Sequence, residues 1–144
     1  MEPRILIVED NPVNQFIVRR ILRKSGFESD IAHNGGEAVE LLSRRRYGVV
    51  LMDVQMPGMD GFEATRIIRD PESGVLDHEV PVIAMTAYAG REDENMCRQA
   101  GMSDYISKPF DSNRLVDLVR KFLGEGQSLG VSPVTRKPPT VSPE

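Results

Sequence analysis

Four residues with chemical potential fall where runs of apolar residues end. Asp53 follows Val49-Val50-Leu51-Met52, and the chain then breaks up at Pro57, Gly58 and Gly61. Glu9 and Asp10 follow Ile5-Leu6-Ile7-Val8 in the same way, and Thr86 follows Val82-Ile83-Ala84-Met85. Lys108 comes directly after Asp104-Tyr105-Ile106-Ser107. One Asp at the end of a strand is most often a turn cap. Three carboxylates brought together are different, because they repel unless a cation sits among them. An all-oxygen donor set with positions left for water suits Mg2+. The charges also balance, since a divalent ion and Lys108 offset three carboxylates. An Asp beside such an ion and a lysine suits phosphoryl acceptance, with the Thr86 hydroxyl bonding a phosphoryl oxygen.

That chemistry needs the run ends on one edge, and the element pattern puts them there. Unbroken apolar runs of this length read as buried parallel strands. Asn11-Pro12 opens a helix with Val13, Ile17, Val18, Ile21 and Leu22 as its apolar stripe, and Arg19, Arg20, Arg23 and Lys24 as a solvated face. Gly26 ends it. Phe27 to Ala32 reads as a second strand, and Asn34-Gly35-Gly36 turns into a helix buried through Ala38, Leu41 and Leu42. Arg44-Arg45-Arg46 closes that helix, where positive charge suits the dipole. Asp60 with Glu63 reads as a capping box. Residues 70–79 read as a polar loop. A helix starting Arg91-Glu92-Asp93-Glu94 has few apolar positions, Met96, Cys97 and Ala100, so it is expected to be the least firmly packed. A last helix, capped by Asp111 or Ser112, carries Leu115, Leu118, Val119 and Phe122. Strands alternating with helices imply one α/β domain, a doubly wound five-stranded parallel sheet with helices on both faces. Right-handed crossovers then place Glu9, Asp10, Asp53, Thr86 and Lys108 on one edge.

Composition narrows the function. The 144 residues suffice for one domain, expected over 1–123. From 124 to 144 Gly, Ser and Pro dominate, and a flexible tail or linker is expected. A net charge of -4 argues against direct nucleic-acid binding. The single cysteine excludes an internal disulfide, and Cys97 reads as a packing residue. His33 and His78 have no ligand spacing and read as loop or surface residues. With no run of membrane-spanning length and no signal peptide, a cytoplasmic protein without membrane contact is expected, as a monomer or weak dimer.

The sequence resembles the receiver domains of two-component response regulators over residues of about 3–123. The matching pieces are Ile7-Val8-Glu9-Asp10-Asn11, Leu51-Met52-Asp53-Val54-Gln55-Met56-Pro57, Asp60-Gly61, Ile83-Ala84-Met85-Thr86-Ala87, and Ala100-Gly101 through Lys108-Pro109-Phe110. The resemblance implies a flavodoxin-like sheet of order 2-1-3-4-5. It implies that Asp53 takes phosphate from a phosphohistidine on a sensor histidine kinase or a histidine phosphotransfer domain. It implies Mg2+ held by Asp10, Asp53 and the Gln55 carbonyl, with Glu9 acting through water. Lys108 falls on the family's lysine, and Thr86 and Tyr105 on its switch positions. Output then passes through the face made by the fourth helix, fifth strand and fifth helix. Gln55 and Tyr88, two residues after Asp53 and Thr86, would flank the water that removes the phosphoryl group; neither activates it well, so a slow decay is expected. Glu-Asp-Asn-Pro-Val-Asn at 9–14 and Ala-Met-Thr-Ala at 84–87 are similar to receivers of hybrid sensor histidine kinases; a stand-alone regulator is the alternative.

Three rivals differ at named residues. An aspartyl-nucleophile phosphohydrolase usually has a second Asp where this chain has Gln55. A flavin module needs a glycine-rich phosphate loop where this chain has Asp10-Asn11-Pro12. A receiver kept only as a binding surface has no use for intact Asp53, Thr86 and Lys108.

Overall fold

The computed structural model describes residues 4–87, 90–109 and 111–124. Ten elements alternate: β1 (Ile5–Val8), α1 (Pro12–Lys24), β2 (Ser29–Ala32), α2 (Gly35–Arg44), β3 (Val49–Asp53), α3 (Gly61–Arg69), β4 (Val82–Thr86), α4 (Arg91–Ala100), β5 (Asp104–Ser107) and α5 (Ser112–Leu123). All pairings are parallel and the order is β2-β1-β3-β4-β5, as expected. The expected tail from 124 onward lies, past Gly124, outside the described residues.

Strand alternation feeds two cores. Leu6, Val8, Val50, Met52, Val82 and Ala84 point to the side covered by α2, α3 and α4. Ile5, Ile7, Val49, Leu51, Ile83 and Met85 point to the side covered by α1 and α5. Both faces of β1, β3 and β4 are therefore buried, which is why those strands read as unbroken apolar runs.

The helix starts follow local chemistry. The Asn11 side chain accepts from Val13 N and Asn14 N at 2.8 and 3.1 Å, with Pro12 in the first turn. Asp60 and Glu63 form the expected capping box. The Asp111 side chain caps α5. α4 starts at Gly90 with no side-chain cap and buries only Cys97 and Ala100. Burial among apolar groups and nearby acids raises the Cys97 thiol to about 11, which fits its expected packing role.

Three local expectations need correction. β2 begins at Ser29 rather than Phe27, because the Phe27 amide still closes the end of α1 on Leu22 O. Arg44 ends α2, and Arg45 turns away to pair with Asp30 at 3.3 Å. In α1 only Val18 and Leu22 are buried, whereas Val13 and Ile17 are 65% and 41% exposed. With Phe16 they make a second strip at i, i+3, i+4, rolled away from the sheet. Periodicity detects apolar rows but not which row faces the core.

Candidate functional site

The carboxyl ends of β1, β3 and β5 bring the predicted residues together. Asp53 is the last residue of β3 and is 2% exposed, and Glu9 directly follows β1 and is fully buried. Oxygens of Glu9, Asp10 and Asp53 all lie within 4.8 Å of one another, with Asp10 exposed at the mouth. Lys108 arrives from the end of β5 and donates from Nζ to Asp53 Oδ1 at 3.1 Å; Glu9 Oε1 is 3.7 Å from the same nitrogen. The Lys108–Pro109 peptide is cis. The Gln55 amide donates to Asp53 Oδ1 at 3.2 Å, so the β3–α3 loop folds back on the acid it follows.

Glu9 is the least comfortable of these groups. Burial, then the neighbouring Asp53 charge, raises its carboxyl from 4.5 to about 7, with Lys108 partly opposing the rise. Its Oε2 accepts from Asn11 N at 3.2 Å and Asn14 Nδ2 at 3.4 Å. Its Oε1 is buried and has no hydrogen-bond partner among the described residues, only the Lys108 charge at 3.7 Å. A carboxylate oxygen kept from water and unsatisfied, beside two more carboxylates, fits a site for a hard divalent cation.

Two contacts at Glu9 were not foreseen. The Asn14 side chain braces its carboxylate, and Gln15 Nε2 donates to its backbone oxygen at 2.7 Å. Both sit in the first turn of α1, and the only signal in the sequence was a pair of amides just inside the helix. Gly61, expected as a turn residue, serves a close approach of backbones. A Cβ there would lie 2.5 Å from Asp53 O and 2.9 Å from Val54 Cα, both backbone atoms. Gly61→Ala is therefore expected to cost about 1–3 kcal/mol of stability, read as a lower urea midpoint. An unchanged midpoint would show that the loop yields freely.

Thr86 and Tyr105, the expected switch positions, sit on adjacent strands, with Tyr105 opposite Ala84 two residues before Thr86, but they open onto different grooves. Thr86, 3% exposed, lines a groove of about 510 Å³ with Val54, Gln55, Pro57, Asp93 and Met96. Tyr105 lines a second groove, of about 750 Å³ between α4 and α5, that also includes Arg98, Leu118 and Lys121. Met96, an expected packing position of α4, is 43% exposed on the Thr86 groove. Tyr88 falls outside the described residues.

Residues 5–120 match the family model described as the response regulator receiver domain. The chain is 43% identical over 129 residues to hybrid signal transduction histidine kinase B of Dictyostelium discoideum, covering 83% of this chain but 7% of that protein. It is 38% identical over 125 residues to the polar-differentiation response regulator DivK of Brucella anthropi, covering 87% of this chain and 99% of that one. Among solved structures, the receiver domain of a Pseudomonas aeruginosa sensor histidine kinase has a magnesium ion coordinated in its active-site cleft. It is 42% identical with a TM-score of 0.76, over 86% of this chain and 99% of that one. The Ssk1 receiver of Saccharomyces cerevisiae, crystallised with the histidine phosphotransfer protein Ypd1, gives 30% identity and a TM-score of 0.77, over 87% and 91%.

Proposed function

Because the chain belongs to the response regulator receiver domain family, we propose that Asp53 is the phosphoryl acceptor of this two-component phosphorelay module. The single observation that carries this is the contact of Lys108 Nζ with Asp53 at 3.1 Å, inside a ring of carboxylates at the strand ends. An Asp53 oxygen attacks phosphorus, the phosphorus–nitrogen bond of a donor phosphohistidine breaks, and its electron pair returns to the imidazole. Mg2+, when bound by Glu9, Asp10, Asp53 and the Gln55 carbonyl, supplies positive charge to the transferring group. Lys108 supplies the protein's own positive charge, and the Gln55 amide fixes the Asp53 carboxylate. Thr86 then bonds a phosphoryl oxygen and Tyr105 turns inward, carrying the signal to the α4–β5–α5 face. Slow loss of the phosphoryl group belongs to the same reading, since Gln55, two residues after Asp53, and Tyr88, two after Thr86, are types that activate water poorly.

The donor is a protein carrying phosphohistidine, a sensor kinase or a histidine phosphotransfer protein of the kind crystallised with Ssk1. It acts in the cytoplasm, where kinases hold nucleotide-derived phosphate. Val13, Phe16 and Ile17 support a docking strip for it, since they are exposed on the helix that starts beside Asp10. Phe16→Ala is expected to slow transfer from a phosphorylated histidine phosphotransfer protein about tenfold, a loss of about 1.4 kcal/mol at this contact, while acetyl phosphate labelling stays unchanged. Equal losses with both donors would place the effect in the chemistry rather than in docking.

The experiment that tests the acceptor is borohydride reduction of the labelled protein, which converts an aspartyl phosphate to homoserine. Homoserine at position 53 supports the reading, and homoserine at another aspartate overturns it. The chain spans a small part of the kinase relative and nearly all of DivK. We read residues 1–123 as the receiver unit of a hybrid sensor kinase, with 124–144 as a linker. The full-length match to DivK supports a stand-alone regulator as the second reading, and the sequence flanking this segment decides between them.

A further inference from the structure

Among the described residues, the ties of α4 to the rest of the fold gather at its C-terminal end. Its two buried side chains, Cys97 and Ala100, both sit in its second half. Beyond it, the Ser103 amide donates to Val82 O at 2.7 Å, and Ser103 Oγ accepts from Val82 N at 3.1 Å. The strongest tie comes from Arg69, the last residue of α3. Its Nε donates to Gly101 O at 2.9 Å, and its Nη1 donates to His78 O at 2.8 Å and Val80 O at 2.7 Å. One guanidinium thus joins the end of α3, the C-cap of α4 and the chain entering β4. The fit is close. Gly101 has φ +98, and a Cβ there would lie 3.0 Å from Arg69 Cγ.

The other end of α4 is held differently. Gly90 gives it no side-chain cap, and the first turn carries Glu92, Asp93 and Glu94. Asp93 and Met96 line the groove that holds Thr86. The helix therefore presents an end without a side-chain cap to the Thr86 groove and a clamped end about 15 Å away, at 1.5 Å per residue over ten residues.

We infer that Arg69 is the pivot of the switch, a positioning residue that fixes the C-terminal turn of α4 so that movement at Thr86 swings the helix as a lever across the face containing Tyr105. This rests on the phosphoacceptor reading of Asp53. Without a fixed end, displacement near Thr86 would be absorbed by sliding or fraying of the helix. With one, it becomes rotation of Met96 and Arg98 relative to β5. Arg69 touches neither the acids nor Lys108, so phosphoryl transfer itself does not need it.

Hydrogen exchange with and without Mg2+ and beryllofluoride, a phosphoryl mimic, tests this on the whole chain as wild type, Arg69→Met and Arg69→Lys. In Arg69→Met, the amides of residues 101–103 are expected to exchange about tenfold faster. The mimic-dependent change at residues 104–107 is expected to vanish, while the acetyl phosphate labelling rate stays at the wild-type level. Arg69→Lys, which keeps a donor beside Gly101 O, is expected to restore part of that change and guards against a misfolded Met variant. A residue that merely stabilised the fold would speed exchange everywhere and leave the mimic-dependent difference intact. That outcome, with a normal wild-type response, overturns the pivot alone. No mimic-dependent change in the wild type overturns the switch reading and the pivot with it.

Discussion

Asp53→Asn is expected to abolish labelling by acetyl phosphate in the presence of Mg2+, with loss of both the phosphoryl mass and the slower Phos-tag band. The amide lacks the anionic oxygen that must attack phosphorus, and among the described residues no other carboxylate combines its position and partners. Glu9 is fully buried, with Oε2 engaged by Asn11 and Asn14, and Asp10 is exposed at the mouth. Only Asp53 has its carboxylate fixed by both Lys108 Nζ and the Gln55 amide, at 3.1 and 3.2 Å. The fold should survive, because the amide keeps an oxygen to accept from both. Lys108→Ala is the contrast. It removes one charge from the transferring group, so labelling should persist at a rate lower by about 100-fold, the usual effect of deleting one preorganised donor. It should also fail to propagate a change to Tyr105. Full labelling of Asp53→Asn would place the acceptor at another residue.

Removing divalent cations is expected to make stability fall as pH rises from about 4.5 to about 7, and saturating Mg2+ to cancel that fall. Glu9 drives both effects. In the unfolded chain it titrates near 4.5; in the fold, burial and then the Asp53 charge raise it to about 7. The folded state thus keeps a proton that the unfolded chain releases. The stability this provides is fully present below the unfolded value and is lost as pH rises through the folded one. The separation corresponds to roughly 3 kcal/mol, enough to move a thermal midpoint by several degrees. A cation among the three carboxylates favours the ionised form instead. Thermal melts at acid and neutral pH, in EDTA and in Mg2+, check this, and Glu9→Gln should flatten the EDTA profile. Identical pH profiles in EDTA and Mg2+ would mean that no ion uses Glu9.

Thr86 also shows how the acidic site and the proposed output face are divided. Its groove includes Asp93 and Met96 of α4, whereas Tyr105 opens onto the groove on the other side of that helix. A signal passing from one to the other must move α4 or pass beneath it. α4 is suited to that because only Cys97 and Ala100 hold it by burial. α5, by contrast, buries Leu115, Val116, Leu118 and Val119.

The sequence alone determined the sheet and the gathering of its chemistry. Apolar runs in β1, β3 and β4 could only be strands buried on both faces, and right-handed crossovers left their carboxyl ends on one edge. Glu9, Asp10, Asp53 and Lys108 followed from that geometry, as did the Asp60–Glu63 cap, because a capping box needs only neighbours three residues apart. Tertiary structure decided what depends on the roll and approach of whole elements. The rotation of α1 about its axis left Val13 and Ile17 outside beside Phe16 while Val18 and Leu22 went in, although Val13, Ile17, Val18 and Leu22 belong to one predicted apolar stripe. The closeness of α3 to β3 turned Gly61 from a turn residue into a contact that admits no Cβ. Nothing in the sequence singles out Arg69, yet it binds carbonyls 9, 11 and 32 residues away. Period and spacing report contacts along one element; those three bonds exist only because α3, α4 and the entry to β4 converge on one point.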